Sequence, residues 1–296
     1  MKGRIFLVVL LVIVAACAGR WMTRTRSTHS SEQEETRQSV RLESGARVEV
    51  RGINGSVEIN TADTDTADVH ILRTASSPDD LEYGQVTVEA SSASLVIHGE
   101  NNGARGFWHW LWGGGGQVKQ ELTLVLPRRV ELLAKGVNGP VRIGEVEGSV
   151  AVEGVNGRVE VAQSFGHSEI KGVNGNVKFG VAQLGAQGME IKGVNGNIEV
   201  RLKENIDADI DVKGNNGGLS LNVPNVTMQE RENFSNMRAR LGRGGAPIDI
   251  KGVNGQIRFE SDAPAATTSA ASVNTSATSS GTGAALPPPP PPPPSR

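Results

Sequence analysis

The residues able to do chemistry in this chain are few and dispersed. The histidines at positions 29, 70, 98, 109 and 167 show no H-E-x-x-H spacing and stand near no paired cysteines, so the sequence holds no zinc site of ordinary ligand spacing. It has no G-x-S-x-G elbow and no phosphate-binding glycine loop. Asp207, Asp209 and Asp211 alternate as calcium-binding carboxylates can, but they lack the glycine and the distal glutamate of a calcium loop. They read as an acidic strip on the outer face of a strand. The expectation is a protein without catalytic residues, cofactor or metal.

The one cysteine carries a different chemistry. Lys2 and Arg4 form a positive start, and Ile5 to Ala16 is an apolar run too short for a membrane span, which needs about 20 residues. Val14-Ala15-Ala16-Cys17 then resembles the lipobox of bacterial lipoproteins, which implies a diacylated Cys17 at the mature N-terminus. Two other readings stay open: cleavage after Ala18, and an uncleaved anchor. The membrane, reached through this lipid or signal anchor, is the first expected partner.

Three of the four tryptophans fall in Phe107-Trp108-His109-Trp110-Leu111-Trp112, followed by four glycines. Such a segment suits a sugar-stacking platform, an apolar contact with an envelope protein, or a wedge at a lipid interface. It equally suits a loop folded back over an open edge of its own domain. Phe107, Trp108, Trp110 and Trp112 are the candidate contacts. The net charge of −2 and pI near 6.3 supply no basic field, so nucleic acid is not an expected partner.

These residues must be held by something, and the chain is rich in turns: 37 glycines, with aromatics at 4%. A Gly-x-Asn-Gly element recurs at Gly52, Gly136, Gly154, Gly172, Gly193, Gly214 and Gly252, in steps of 84, 18, 18, 21, 21 and 38. The long steps are near multiples of the short ones. Fixed-period self-similarity is the signature of a repeat architecture. After the turns, Val141-Arg142-Ile143, Val159-Glu160-Val161, Val177-Lys178-Phe179 and Ile198-Glu199-Val200 alternate as strands with one buried face. One unit cannot bury that face alone, whereas stacked units can. Stacking places Val137, Val155, Val173 and Val194 inside and brings Asn54, Asn138, Asn156, Asn174, Asn195, Asn216 and Asn254 into one ladder. Amides suit a ladder because each can both donate and accept, and here they would serve buried backbone groups.

The repeated turn, together with Glu121-Leu122-Thr123-Leu124-Val125-Leu126-Pro127, resembles the putative-adhesin, or head-GIN, family of bacterial envelope domains. The resemblance spans about residues 46–260. It implies an all-β, right-handed parallel β-helix (a β-solenoid), usually exported and without established catalysis, and the turn spacing gives that solenoid coils of 18–21 residues.

The expected organisation is a signal peptide over 1–17, a polar tether over 18–44 and a β-solenoid over 45–260. Insertions at 103–117 and 224–247 interrupt it. A Ser/Thr/Ala tail over 261–296 carries the proline run Pro287–Pro294, a spacer or a docking peptide. In the second insertion, Thr227 with Glu230 reads as a capping box, and Phe234, Met237 and Leu241 fall at helical spacing before Gly242, which predicts one short helix. Arg231, Arg238, Arg240 and Arg243 would line its solvated face. The function expected is a non-enzymatic envelope scaffold that meets an envelope protein or a glycan. An envelope-stress or signalling accessory and a β-helix carbohydrate-active enzyme are the alternatives.

Overall fold

The computed structural model of the protein describes residues 32–76, 80–81, 84–101, 118–231 and 235–262. Cys17, residues 18–31 of the expected tether, the Trp-bearing segment 103–117 and the tail from 263 lie outside the described residues.

Strands dominate what is described. In chain order they are β1 (Glu32–Arg41), β2 (Ala46–Arg51), β3 (Val57–Ala62), β4 (Thr66–Ala75), β5 (Gly84–Ala90), β6 (Ser94–Asn101) and β7 (Lys119–Pro127). Next come β8 (Val130–Lys135), β9 (Val141–Val146), β10 (Val150–Glu153), β11 (Val159–Ser164), β12 (Ser168–Asn174), β13 (Val177–Val181), β14 (Met189–Asn195) and β15 (Ile198–Leu202). The last are β16 (Ala208–Asn215), β17 (Leu219–Asn222), β18 (Val226–Arg231), β19 (Met237–Leu241), β20 (Ala246–Asn254) and β21 (Ile257–Ser261).

Two large sheets, mostly parallel, enclose one apolar core. Sheet A holds ten strands in the order β1-β4-β7-β3-β9-β11-β13-β15-β21-β17, and sheet B eleven in the order β18-β19-β16-β20-β14-β12-β10-β8-β2-β6-β5. Each rung takes one strand from sheet B and the next from sheet A, joined in seven of the eight rungs by the Gly-x-Asn-Gly turn. Alternation puts Ile170, Ile191 and Ile250 inside from sheet B and Val161, Phe179, Val200 and Phe259 inside from sheet A, all nearly inaccessible. Each such side chain contributes about 1.5–3 kcal/mol through burial. Val137, Val155, Val173, Val194 and Val253, the second residues of the turns, fill the corner between the sheets.

The two turn glycines are required for different reasons. Gly172 sits at φ +63, and the atom nearest to where a Cβ would stand is 3.7 Å away, so only its dihedral demands glycine. At Gly175, φ +154, a Cβ would lie 2.2 Å from the carbonyl oxygen of Gly157 in the adjoining rung. Rungs approach too closely there for any side chain.

Spatial order departs from chain order at both ends. The rung β2–β3 stands between β6–β7 and β8–β9, and the rung β20–β21 stands between β14–β15 and β16–β17. The steps of 84 and 38 are therefore not intervening rungs. Gly52 lies directly against Gly136, and Gly252 directly against Gly193.

Two expectations about local structure are corrected. Among the described residues of 226–241 there is no helix, and Phe234 lies outside the described residues. Those described form the antiparallel hairpin β18–β19, which pairs with β16 at the end of sheet B. Met237, Ala239 and Leu241 all point inward, an alternation that the spacing of Met237 and Leu241 alone does not reveal. The second half of the expected tether is also structured: β1, polar and exposed, pairs along its whole length with β4 at the edge of sheet A.

Candidate functional site

The turns bring the seven asparagines into one column along the corner of the stack. Asn138 donates to Asn54 Oδ1 at 2.9 Å, Asn156 to Asn138 at 3.0 Å, Asn174 to Asn156 at 3.2 Å and Asn195 to Asn174 at 3.2 Å. Asn254 then donates to Asn195 at 3.1 Å, and Asn216 to Asn254 at 3.4 Å. The column follows spatial order, so Asn254 stands between Asn195 and Asn216.

From Asn138 onward these side chains are exposed. The expectation that they serve buried backbone groups is corrected: each amide is bonded to the next amide, at the surface. An amide has two N–H donors and an oxygen with two lone pairs, and the column uses one of each at its interior members. At the other end Asn54 donates to the carbonyl of Val118 at 3.0 Å, and its own N–H reaches Gln120 Oε1 at 3.0 Å. Val118 follows the segment 103–117, which in sequence connects β6 to β7.

Charged residues decorate the two outer faces in opposite ways. Across sheet A, Glu58, Arg142, Glu160, Lys178, Glu199 and Arg258 succeed one another in register, so neighbouring signs alternate. Across sheet B the signs separate. Glu169, Glu190, Asp249 and Asp211 form one column, and Lys171, Lys192, Lys251 and Lys213 the next. Each lysine pairs with the acid two residues before it: Lys192 with Glu190 at 2.5 Å, Lys213 with Asp211 at 2.7 Å, Lys251 with Asp249 at 3.8 Å, and Lys171 with Glu169. The Lys192 hydrogen bond holds the Glu190 carboxyl below its ordinary pKa, and Glu169 raises that of Lys171. The sequence does carry the signal for these columns, in the recurrent order acid, apolar, lysine, glycine before the turn.

The acidic strip and Arg238, Arg240 and Arg243 of the second insertion are one feature. Asp209 faces Arg240, and Asp211 faces Arg238, across the β16–β19 pairing. Arg240 reaches Asp209 at 3.0 Å and Arg243 reaches Asp207 at 2.8 Å, while Arg238 spans Asp211 at 3.6 Å and Glu230 at 3.3 Å. Asp207 is held below its usual pKa by the backbone N–H and then the guanidinium of Arg243. Asp209 is lowered by the Arg240 guanidinium and then by the N–H of Gly245. These carboxylates fasten the hairpin.

Among the described residues, no three His, Cys, Asp or Glu side chains are grouped to hold a metal. His70 meets Glu35 at 2.8 Å, and His167 Nδ1 meets the Gly188 carbonyl at 2.9 Å. A shallow depression of about 270 Å³ on sheet A is floored by Gly144, Ala162 and Gly180 beside Arg142, Glu160 and Lys178. It has the form of a dip in a flat face, and Glu58 and Glu160 on its lining alternate with Arg142 and Lys178. Cys17, Phe107, Trp108, Trp110 and Trp112 lie outside the described residues.

No protein-family profile matches the chain, and a comparison with curated proteins finds no match. Among solved structures, the chain is similar to a putative cell adhesion protein from Clostridium sporogenes, at 10% identity and TM-score 0.39, over 78% of this chain and 100% of that one. It is also similar to a putative adhesin from Parabacteroides merdae, at 11% identity and TM-score 0.25, over 77% of this chain and 96% of that one. A putative adhesin from Bacteroides fragilis matches at 8% identity and TM-score 0.24, over 76% and 97%. At these scores nothing about activity passes from them to this chain.

Proposed function

We propose that the protein is a non-enzymatic scaffold of the bacterial cell envelope: a right-handed β-solenoid, exported, held at the membrane through Cys17, and presenting its corner and loops to an envelope protein or glycan. One observation carries the reading. The asparagines of the repeat and the alternating carboxylates, the two recurrent polar patterns that could suggest a ligand or metal site, are engaged in holding the stack together: the asparagines with one another, and Asp207, Asp209 and Asp211 with the hairpin arginines. What the repeat leaves for a partner is extended surface, and at one end of the asparagine column Asn54 bonds the carbonyl of Val118, which follows the Trp-bearing segment in sequence.

Two measurements test it. Fatty-acid labelling of cells should mark the wild-type chain and not Cys17→Ser. Replacing Trp108, Trp110 and Trp112 with Ala should abolish capture of envelope components while leaving the thermal transition in place. Absence of label in the wild type refutes the lipid anchor, and unchanged capture refutes the Trp contact.

A further inference from the structure

The two rungs nearest the chain ends are not at the ends of the stack. In a stack whose spatial order followed the sequence, the first and last rungs would each have one neighbour, and tension on a terminus would peel them off singly. Here β2 is paired on both sides, with β6 and β8, and β3 with β7 and β9. The last rung is enclosed in the same way: β20 pairs with β14 and β16, and β21 with β15 and β17.

The points where the chain enters and leaves are fastened further. Asp262, next after β21, donates its N–H to the Leu202 carbonyl at 2.8 Å and accepts from Gln163 Nε2 at 3.2 Å. Gln163 belongs to β11, three strands away in sheet A, so the exit is tied across the sheet as well as along it. On the entry side, β1 runs ten residues against β4 before the chain turns in towards β2.

We infer that this interleaving makes the protein a load-bearing link, in which tension between its N- and C-terminal extensions is met by two enclosed rungs and does not unravel the stack unit by unit. To withdraw residues 246–261, the interfaces with β14–β15 and β16–β17 must open together. Their loss would leave β16–β17 with the hairpin as its remaining partner. The same holds for residues 46–62 at the other end. β1, bonded on one side, is the element that yields first. This resistance belongs to the fold and holds whether or not Cys17 is lipidated; that the load exists in the cell rests on the envelope reading.

Single-molecule pulling of the full chain tests it. One handle is attached at Cys17 of unexported, unlipidated protein and the other at Arg296→Cys. After an early release of β1, residues 46–261 should open in one event, with a gain in extension on the order of 700 Å at about 3.4 Å per residue. A second molecule, Cys17→Ser with handles at Ser92→Cys and Asn222→Cys, is pulled from the outermost rungs. It should yield at lower force, in successive smaller releases. A staircase of about 60–70 Å steps under terminal pulling, the length of single 18–21-residue units, would overturn the inference. So would a terminal-pulling force no higher than that of the second geometry. Fatty-acid labelling is unaffected by either outcome, so failure here and failure of the envelope reading are separate results.

Discussion

Asn54 donates its side-chain amide to the backbone carbonyl of Val118 at 3.0 Å, so the asparagine column ends on the residue that follows the Trp-bearing segment in sequence. The column itself is fixed by six amide–amide hydrogen bonds.

That column predicts a position-dependent cost. Asn174→Ala removes two of its bonds, one given and one received, while Asn216→Ala removes the single bond that Asn216 gives to Asn254. At about 0.5–1.5 kcal/mol per bond, Asn174→Ala should cost close to twice as much as Asn216→Ala. Equilibrium unfolding in urea measures both, and equal costs would mean that the column contributes little.

The two turn glycines should separate by mechanism. Gly172→Ala places a side chain at φ +63 without a clash, at a cost of about 1–2 kcal/mol. Gly175→Ala drives a Cβ to 2.2 Å from the Gly157 carbonyl oxygen, so the rungs must move apart. It should destabilise by clearly more than Gly172→Ala, and comparison of their thermal midpoints checks the order.

Acid should loosen the hairpin. The carboxyls of Asp207 and Asp209 have folded-state pKa values below their ordinary ones, so their contribution is present above the unfolded value of about 3.9 and is lost as pH falls through the lowered folded values. Wild type should therefore be more stable than the Asp207→Asn/Asp209→Asn double variant at pH 7. The gap should hold down to about pH 4 and close below it. Urea midpoints across the acid range give the profile, and a gap independent of pH would contradict the assignment.

Asn215 occupies the inward position that valine holds in the neighbouring rung, in register with Val253, and its Oδ1 is buried without a partner. Its Nδ2 donates to the Gly217 carbonyl at 3.1 Å. Asn215→Val removes the unpartnered oxygen and restores the repeat. It should raise stability by about 0.5–1 kcal/mol, read as a higher thermal midpoint.

The central rungs were legible in the sequence because their periods of two and of 18–21 residues coincide: Val159, Val177 and Ile198 are written in both. The hairpin was not. Phe234, Met237 and Leu241 fit a helix on spacing, and Thr227 with Glu230 fits its cap, yet Glu230 meets Arg238 across two strands. Short apolar runs carry both periods, and strand pairing decides between them. The polarity of β1 pointed to a tether because a strand at a sheet edge buries almost nothing of its own. The rung order was hidden for another reason. Steps of 84 and 38 give separation along the chain, and the identity of a spatial neighbour is set by pairing: Gly252 meets Gly193 across 59 residues. For the tryptophans and Cys17, sequence remains the guide.

Between Val130 and Leu202, spatial order and chain order agree strand by strand. A unit duplicated or deleted within that stretch would enter or leave as one complete layer, with both neighbours already of matching shape. The crossed ends allow no such exchange, because each closes over a layer made elsewhere in the chain. Length can therefore evolve in the middle of the molecule while its two terminal arrangements stay as they are, so relatives of different size should differ first in the number of Gly-Val-Asn-Gly layers between those positions.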